Sequence, residues 1–526
     1  MSSSFGKKAL LIAIAMLASS YAHAYLSSFN RADAYPMYNS LDPHIFLYTR
    51  EKLQMKGFET AREVPERFGL SLSPFGQNAN FGKDIDGDYT PLGDLNGRWS
   101  MIPLVFDNGC PNCQGTYPCG QNLPGHCQTL QKAHDCLFPV GTSGCDECRT
   151  STENRPGLNN PEVIDPLEKF GFFTNNLRYR KKGLRGEFDL NFGGGFGMSI
   201  QTGVADISQI LDNKCEDIVP SYSCPYFDKG RVNLTCFAKP SCGFRLEKVD
   251  NTTHDECCPE EDADYCKNCQ IVGFENLTTA NVNKYLMDKL CVIAKEIGVD
   301  TTNFHAVSIE EVRMNLYWRK AYAMNKDEDD WPYFLFIPFF TASGSVSPGK
   351  KINPSKIFAA PFGNDGFNAA GFSGGFNFDF YDTVEIGAEF GYTHFFKRDI
   401  CNFRVPNNKC QQGLYPFTAD VSYHPGSNWM FGAKIAGYHF LDKFSTYFQY
   451  VMVTHSRDKI CPKKCASDFV PHVLEERSKW NTKLANIGFT YDLSPYMSLG
   501  FFWQAPLSQR NTYRSTTLML SFNASY

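Results

Sequence analysis

The stretch 513-YRSTTLMLSFNASY-526 decides the fold. Thr516, Leu518, Leu520, Phe522, Ala524 and Tyr526 fall on one side of an extended chain, and Thr517, Met519, Ser521, Asn523 and Ser525 fall on the other. Side chains alternate with this period of two only along a strand. One face is apolar, the other is mostly polar, and the pattern runs into an aromatic at Tyr526. A strand that closes a membrane barrel ends in this way, with the aromatic at the level of the lipid headgroups, so Tyr526 is the expected membrane-interface residue.

The amino end supplies an export address. Lys7 and Lys8 precede an apolar run, residues 9–18, and the segment finishes at Ala22, His23 and Ala24, a small-x-small cleavage site. That run is too short to cross a bilayer as a helix. Residues 1–24 therefore read as a signal peptide cleaved near Ala24, and residues 25–526 as the mature chain, placed in the cell outer membrane.

Composition fits a barrel. The 526 residues include 45 Phe and 42 Gly, and aromatics make up 15% of the chain. No mature segment approaches the run of about 18 apolar residues needed for a transmembrane helix. A chain of negative mean hydropathy still crosses a membrane if every second residue faces a wet lumen. The net charge of -5 argues against a nucleic-acid partner.

The second half of the chain repeats the device of its last strand. Ala370, Phe372, Gly374, Phe376, Phe378 and Phe380 alternate with Ala369, Gly371, Ser373, Gly375, Asn377 and Asp379. After a turn at Tyr381 and Asp382, Val384, Ile386, Ala388, Phe390 and Tyr392 alternate with Glu385, Gly387, Glu389, Gly391 and Thr393. Residues 429–440 with 444–455, and 480–491 with 496–505, form further pairs, so residues 367–526 read as four antiparallel hairpin-linked pairs. Upstream, residues 184–204 hold one parity through Gly193, Gly194 and Gly195 and read as one long strand. Residues 44–50, 66–75, 97–106, 169–180, 311–322 and 331–343 are further candidates, the last awkward because Pro332 and Pro338 lie inside it.

The fold class expected is all-β: a transmembrane antiparallel β-barrel of 14 strands, or of 12 if the first two candidates lie outside the wall. Short turns then face one side and long connections the other. With sides set this way, every one of the 20 cysteines falls in a long connection: seven in 107–168, nine in 205–310, then Cys401 and Cys410, and Cys461 and Cys465. Behind a signal peptide these read as disulfide-rich extracellular loops. Pairing within each short loop, Cys401 with Cys410 and Cys461 with Cys465, is expected. The rival is zinc, since Cys110 and Cys113, Cys145 and Cys148, and Cys266 and Cys269 have ribbon spacing; the oxidising compartment favours disulfides, and no metal or cofactor is assigned. Residues 281–297 read as a helix inside the second large loop.

Three motifs carry little. Gly371, Ser373 and Gly375 match a hydrolase elbow, but they lie in mid-strand where an elbow needs a strand-turn-helix context. Asp84, Asp86 and Asp88 resemble a calcium loop with its glycine misplaced and no closing Glu. Asn233, Asn251 and Asn276 open glycosylation sequons that a two-membrane bacterium would not use.

The hairpins, the export signal and Tyr526 together resemble bacterial outer-membrane β-barrels of the porin type, and the cysteine-rich outer face is similar to that of chlamydia-type major outer-membrane porins. The resemblance implies outer-membrane lipid as surroundings, barrel-assembly machinery engaging the carboxyl-terminal strand, and small solutes as cargo. It implies no enzyme activity. Passive diffusion of small hydrophilic solutes would be tuned by the inward parity residues Asp189, Asn191, Asp379, Glu385, Glu389 and Lys434. The alternative is a structural or adhesive surface protein, whose barrel anchors disulfide-bonded loops that link to partners or host surfaces.

Overall fold

The computed structural model describes residues 68–95, 99–100, 172–173, 176–211, 290–326, 332–380, 383–407, 413–441, 443–494 and 496–525. Residues 1–24, 44–50 and 107–168, Tyr526 and most of 205–310 lie outside that set.

Twelve strands form the wall, in chain order β1 Phe68–Lys83, β2 Leu177–Gly193, β3 Phe196–Leu211, β4 Val312–Arg319, β5 Pro332–Val346, β6 Ala369–Phe380, β7 Val384–Phe395, β8 Asn428–Leu441, β9 Phe444–His455, β10 Trp480–Ser494, β11 Met497–Arg510 and β12 Thr512–Ser525. Each pairs antiparallel with its neighbours in sequence, and β1 pairs with β12 from Gly69 opposite Ser525 to Lys83 opposite Thr512. That last ladder closes the ring, so no edge is left open to lipid. Phe304–Ile309 prolongs β4 along β3, and Tyr322–Lys326 prolongs it along β5. No described helix is long and apolar enough to cross a membrane.

The expected alternation holds in β12: Leu518 and Phe522 are exposed on the outer face, while Thr517, Met519, Ser521 and Asn523 are buried inside. The outer face is apolar all round the wall. Phe68, Phe188, Ile200, Leu316, Phe340, Phe376, Phe390, Phe431, Phe448 and Trp503 all point outward. Exposed apolar side chains on every strand of a closed ring describe a surface solvated by lipid, since a monomer in water rarely shows a contiguous apolar patch larger than a few hundred Å².

Several sequence expectations need correction. The wall has twelve strands rather than fourteen, and not the twelve anticipated: β1 belongs to the wall, whereas Trp99–Ser100, the described part of 97–106, pairs with Phe172–Phe173 apart from the barrel. Residues 367–526 supply seven wall strands rather than four pairs, because β12 is shared between β11 and β1. Residues 184–204 are not one strand but the hairpin β2–β3. Gly193, Gly194 and Gly195 all take positive φ (84°, 63° and 87°) and reverse the chain, and a bulge between Asn191 and Gly193 absorbs the residue that would otherwise flip the parity. The region 205–310 is shorter as a connection, since 205–211 and 304–309 belong to ladders. Of the helix expected over 281–297, Leu290–Glu296 is helical (α1), and residues 281–289 lie outside the described residues.

β5 is a strand despite its prolines. Pro332 is its first residue, and Pro338, which has no N–H to give, lies opposite the break at Lys320 and Ala321 between β4 and its extension. A break in one strand thus meets the missing donor in the other.

Connections differ at the two rims. At one, tight links join β2–β3, β6–β7, β8–β9 and β10–β11; at the other lie the long connections, with Asn511 turning β11 into β12. No cysteine occurs in any wall strand. Over the long-loop rim sits a cap of three strands, Arg398–Arg404, Thr418–His424 and Lys459–Pro462, with α2 His472–Ser478 beside them. Its core is Phe367, Phe395, Val405, Phe417, Val421, Tyr423, Ile460 and Phe469, so the cap packs on the wall ends of β6 and β7 through Ala369 and Phe395.

Candidate functional site

The inward face of the barrel is polar, and its charge is gathered in one sector. β2 turns in Lys181, Arg185, Glu187 and Asp189; β4 turns in Arg313 and Arg319, with Glu310 just before it; β6, β7 and β8 add Asp379, Glu385, Glu389 and Lys434. From β9 through β12 to β1 the inward residues in mid-wall are neutral, among them Gln449, Asn486, Gln504, Thr517 and Gln77. Asn486 donates to Gln449 at 2.9 Å and Gln504 donates to Asn486 at 3.1 Å, a polar ladder running across β9, β10 and β11.

All six lumen candidates from the sequence turn inward. Asp379 and Glu385 are a directly opposed cross-strand pair, both 0% exposed. Glu385 meets the Lys434 ammonium, and Arg319 reaches past β5 and β6 to within 3.9 Å of it. Asp189 accepts from the Tyr317 hydroxyl at 2.8 Å. Glu389 stands opposite Gly375 and Gly432. Asn191, close to the short-turn rim, is spent locally, its Oδ1 accepting from the Gly193 N–H at 2.9 Å.

Small residues make room for these side chains. A Cβ on Gly387 would come within 2.0 Å of Asn377 Oδ1, and one on Gly375 within 2.1 Å of the Ala388 carbonyl. The inward glycines of the β6–β7 hairpin thus set the space in which the carboxylates lie.

Sequence reading missed a second centre towards the long-loop rim. Glu310 accepts from Arg185 at 2.7 and 3.1 Å and from Lys181 at 2.5 Å, all three side chains nearly closed to solvent. Lys181 and Arg185 share the parity of Asp189, a signal available in the sequence, but Glu310 lies in the gap between two strand segments and had none. Leu335, Ile337 and Phe339 also face inward, which the two-sided apolarity of residues 331–340 had signalled.

Above this layer the connection 347–368 folds into the barrel mouth. Ile357, Phe358, Ala359, Ala360, Phe362 and Phe367 are buried there. Inward-facing Gln209 donates to the Phe358 carbonyl at 2.6 Å, and Asn364 donates to Ser345 at 3.2 Å. Arg398 ties the segment to the cap: it lies 3.6 Å from the Asp365 carboxylate, donates to its backbone carbonyl, and stacks 4.4 Å from the Phe367 ring. Burial pushes the Asp365 carboxyl up to about 7, against the Ile352 N–H, Arg398 and Lys351.

The cap is fixed at Asp458. Its carboxylate accepts from Tyr423 at 2.6 Å and the Gly426 N–H at 2.7 Å and meets His455 Nε2 at 2.8 Å; the other ring nitrogen of His455 faces Asn428 Oδ1 at 2.6 Å, and the ring stacks on Trp480. Burial alone would raise the Asp458 carboxyl, but the charge of His455 and the bonds from His455, Tyr423 and Gly426 hold it below its usual range.

The short-loop cysteine pairs expected from the sequence are not formed. Cys401 and Cys461 are exposed free thiols, and Cys465 is disulfide-bonded to neither. Cys461 is held opposite Ser422 in the cap ladder, whereas Cys465 lies past the strand end in a left-handed turn; Cys401 sits in the bulge where the Asn402 N–H binds Asp420. The elbow-like Ser373 lies within β6, opposite Thr341 and Gly391. Asp84 turns its carboxylate on the N–H groups of Asp86 and Asp88, both at 3.0 Å.

A closed antiparallel ring with an apolar exterior and a charged interior defines a membrane-spanning β-barrel of the outer-membrane channel type. No protein-family model and no curated protein matches the chain. Among solved structures it is similar to an outer-membrane channel from Pseudomonas putida F1 (5% identity over 88% of this chain and 97% of that one, TM-score 0.39). It is also similar to the translocator domain of the autotransporter NalP from Neisseria meningitidis (7%, 92% and 96%, TM-score 0.29) and to the NanC porin (6%, 66% and 93%, TM-score 0.26). The class rests on the closed ring of ladders in this chain, and these likenesses carry no function to it.

Proposed function

We propose that the protein is a channel for passive diffusion of small hydrophilic solutes across the outer membrane, with the long-loop rim outside. The observation that carries this reading is the opposed inward charge of Glu385 against Lys434 and Arg319, inside a twelve-stranded ring towards its short-turn rim. Desolvating such groups costs several kcal/mol per ion, so a wall serving only as an anchor gains nothing from them, and about eight strands already suffice for a barrel filled by its own side chains. Solute selectivity is set by the charged sector of β2 to β8, and the segment 347–368 narrows the mouth.

A second reading, an anchored structural or adhesive surface protein, draws on the cap, whose own core covers the long-loop rim. Planar-bilayer recording separates the two. The channel reading expects conductance from refolded protein, rising when residues 353–366 are replaced by a short Gly-Ser link. Folded protein that stays silent in the wild type, after reduction and with that link would leave the surface-protein reading in its place.

A further inference from the structure

The outer face of β2 changes chemistry at one residue. From the short-turn rim its outward side chains are Phe192, Leu190, Phe188, the bare Gly186 and Leu184, and then Lys182, Arg180 and Arg178. At about 3.4 Å per residue and a tilt of roughly 40°, Phe192 to Leu184 spans about 21 Å, close to the roughly 25 Å apolar band of such barrels. Leu184 is therefore the edge of the hydrocarbon, and the three cations follow at about 5, 10 and 16 Å beyond it. Long basic side chains lean back along the wall, which brings their charges into the headgroup layer.

The neighbouring strands extend this patch. Tyr179, Ala79 and Ser515 lie in register across β2, β1 and β12, so Arg178 and Arg514 sit one residue further on, separated by one strand and roughly 10 Å. Arg514 is steadied by the Tyr89 ring, 5.6 Å away, to whose hydroxyl it donates. Lys182 is partly offset, lying 3.2 Å from Asp206, which His305 also meets at 2.8 Å. On the far side of the barrel the same rim has a different character: Trp429 packs on Tyr392 at 4.6 Å, and the outward positions of β6 to β9 carry no Lys or Arg.

We propose that Arg178, Arg180 and Arg514, with Lys182 at their base, form a docking surface for the phosphate-bearing headgroup of a lipid in the leaflet at the long-loop rim. Guanidinium groups bind phosphate oxygens two at a time, and a basic cluster beside the apolar band meets such a headgroup without removing its chains from the membrane. The lipid is held on one sector of the wall, whether or not the lumen conducts.

Native mass spectrometry of the full-length protein tests this, using a diphosphorylated lipid A, the same lipid with its phosphates removed, and inorganic phosphate. Wild type should retain the phosphorylated lipid and lose it by about fivefold per cation removed in the set Arg178→Gln, Arg180→Gln and Arg514→Gln. Lys350→Gln with Lys397→Gln, cations of the connections, should leave retention unchanged. Equal retention by wild type and the triple variant overturns the proposal, as does displacement by inorganic phosphate at low millimolar concentration, which marks a free-anion site. Should the triple variant fail to fold, wild type decides alone: equal retention of the dephosphorylated lipid refutes the surface.

Discussion

Asp379 and Glu385 stand directly opposite one another on β6 and β7, both turned into the barrel and both closed to solvent. Two carboxylates so placed repel unless cations are brought to them, and Lys434 and Arg319 are the cations that reach Glu385. Replacing Glu385 and Glu389 with Lys should therefore shift ion selectivity towards anions while the apolar exterior still inserts, read as a reversal potential under a salt gradient. Glu385→Ala alone leaves Lys434 and Arg319 facing each other and should cost about 3–5 kcal/mol of stability, the usual penalty for half of a buried pair. A conducting double variant with unchanged selectivity would remove these carboxylates from the solute path.

What the sequence revealed and what it hid follow from the range of the interactions. Alternation is local, so the faces of β2 and of β6 to β12, and hence the six inward candidates, could be read from residue types alone. The β2–β3 hairpin was hidden because a bulge at Asn191 kept the parity across the turn, the opposite of what a plain two-residue turn does. Glu310 was hidden because its role depends on Lys181 and Arg185, more than a hundred residues earlier in the chain, and because it lies between two strand segments, outside any alternating run. The cap was hidden for the same reason: Phe367, Phe417 and Ile460 converge from separate connections on Phe395 at the end of β7.

The two buried acids of the long-loop rim should respond to pH in opposite ways. Asp458 is held below the usual carboxylate range, so its stabilisation is present above about pH 4 and is lost as pH falls further. Asp365 is raised to about 7, so its contribution is fullest below about pH 4 and is lost as pH rises through about 7. Limited proteolysis of the 396–427 connection should show Asp458→Asn loosened at neutral pH and insensitive to acid. Asp365→Asn should abolish the loss between about pH 4 and 7. Identical profiles for wild type and both variants would disconnect these groups from cap attachment.

Gly195 is the residue on which the β2–β3 hairpin turns. Its φ of 87° suits glycine, and a Cβ there would lie 2.0 Å from the Arg319 carbonyl, which accepts no such approach. Gly195→Ala should cost about 2 kcal/mol or more, from the left-handed backbone and the displaced β4 end together. The temperature at which the folded, fast-migrating gel species is lost should fall accordingly. Gly194→Ala, where only Phe196 lies as near as 4.0 Å, should cost less. Equal effects would mean that backbone strain alone, without the β4 contact, sets the penalty.

Closure of the ring depends on β12, which pairs with β11 through Leu520 and Phe522 and with β1 over the same residues' neighbours. Deleting Tyr526, the membrane-interface residue expected from the sequence, should impair assembly. Pulse-chase appearance of the heat-modifiable form measures it, and assembly at the wild-type rate would show that the strand closes without that residue.

The two thiols of the cap test the sides of the membrane and the cysteine chemistry together. Cys401 and Cys461 are exposed on the long-loop rim, whereas Cys465 is already bonded. A membrane-impermeant maleimide applied to intact cells should label Cys401 and Cys461 without reductant and reach Cys465 only after reduction. Protease on the same cells should cut the long connections and spare Lys443 and Ser494, which lie at the short-turn rim. Cleavage at Ser494 would reverse the assignment of sides. Failure of both thiols to label until a reductant is added, with protease still cutting only the long connections, would show that both sulfurs are oxidised and keep the topology, because access of the protease has then shown that the cap faces outward and only oxidation is left to protect the sulfurs.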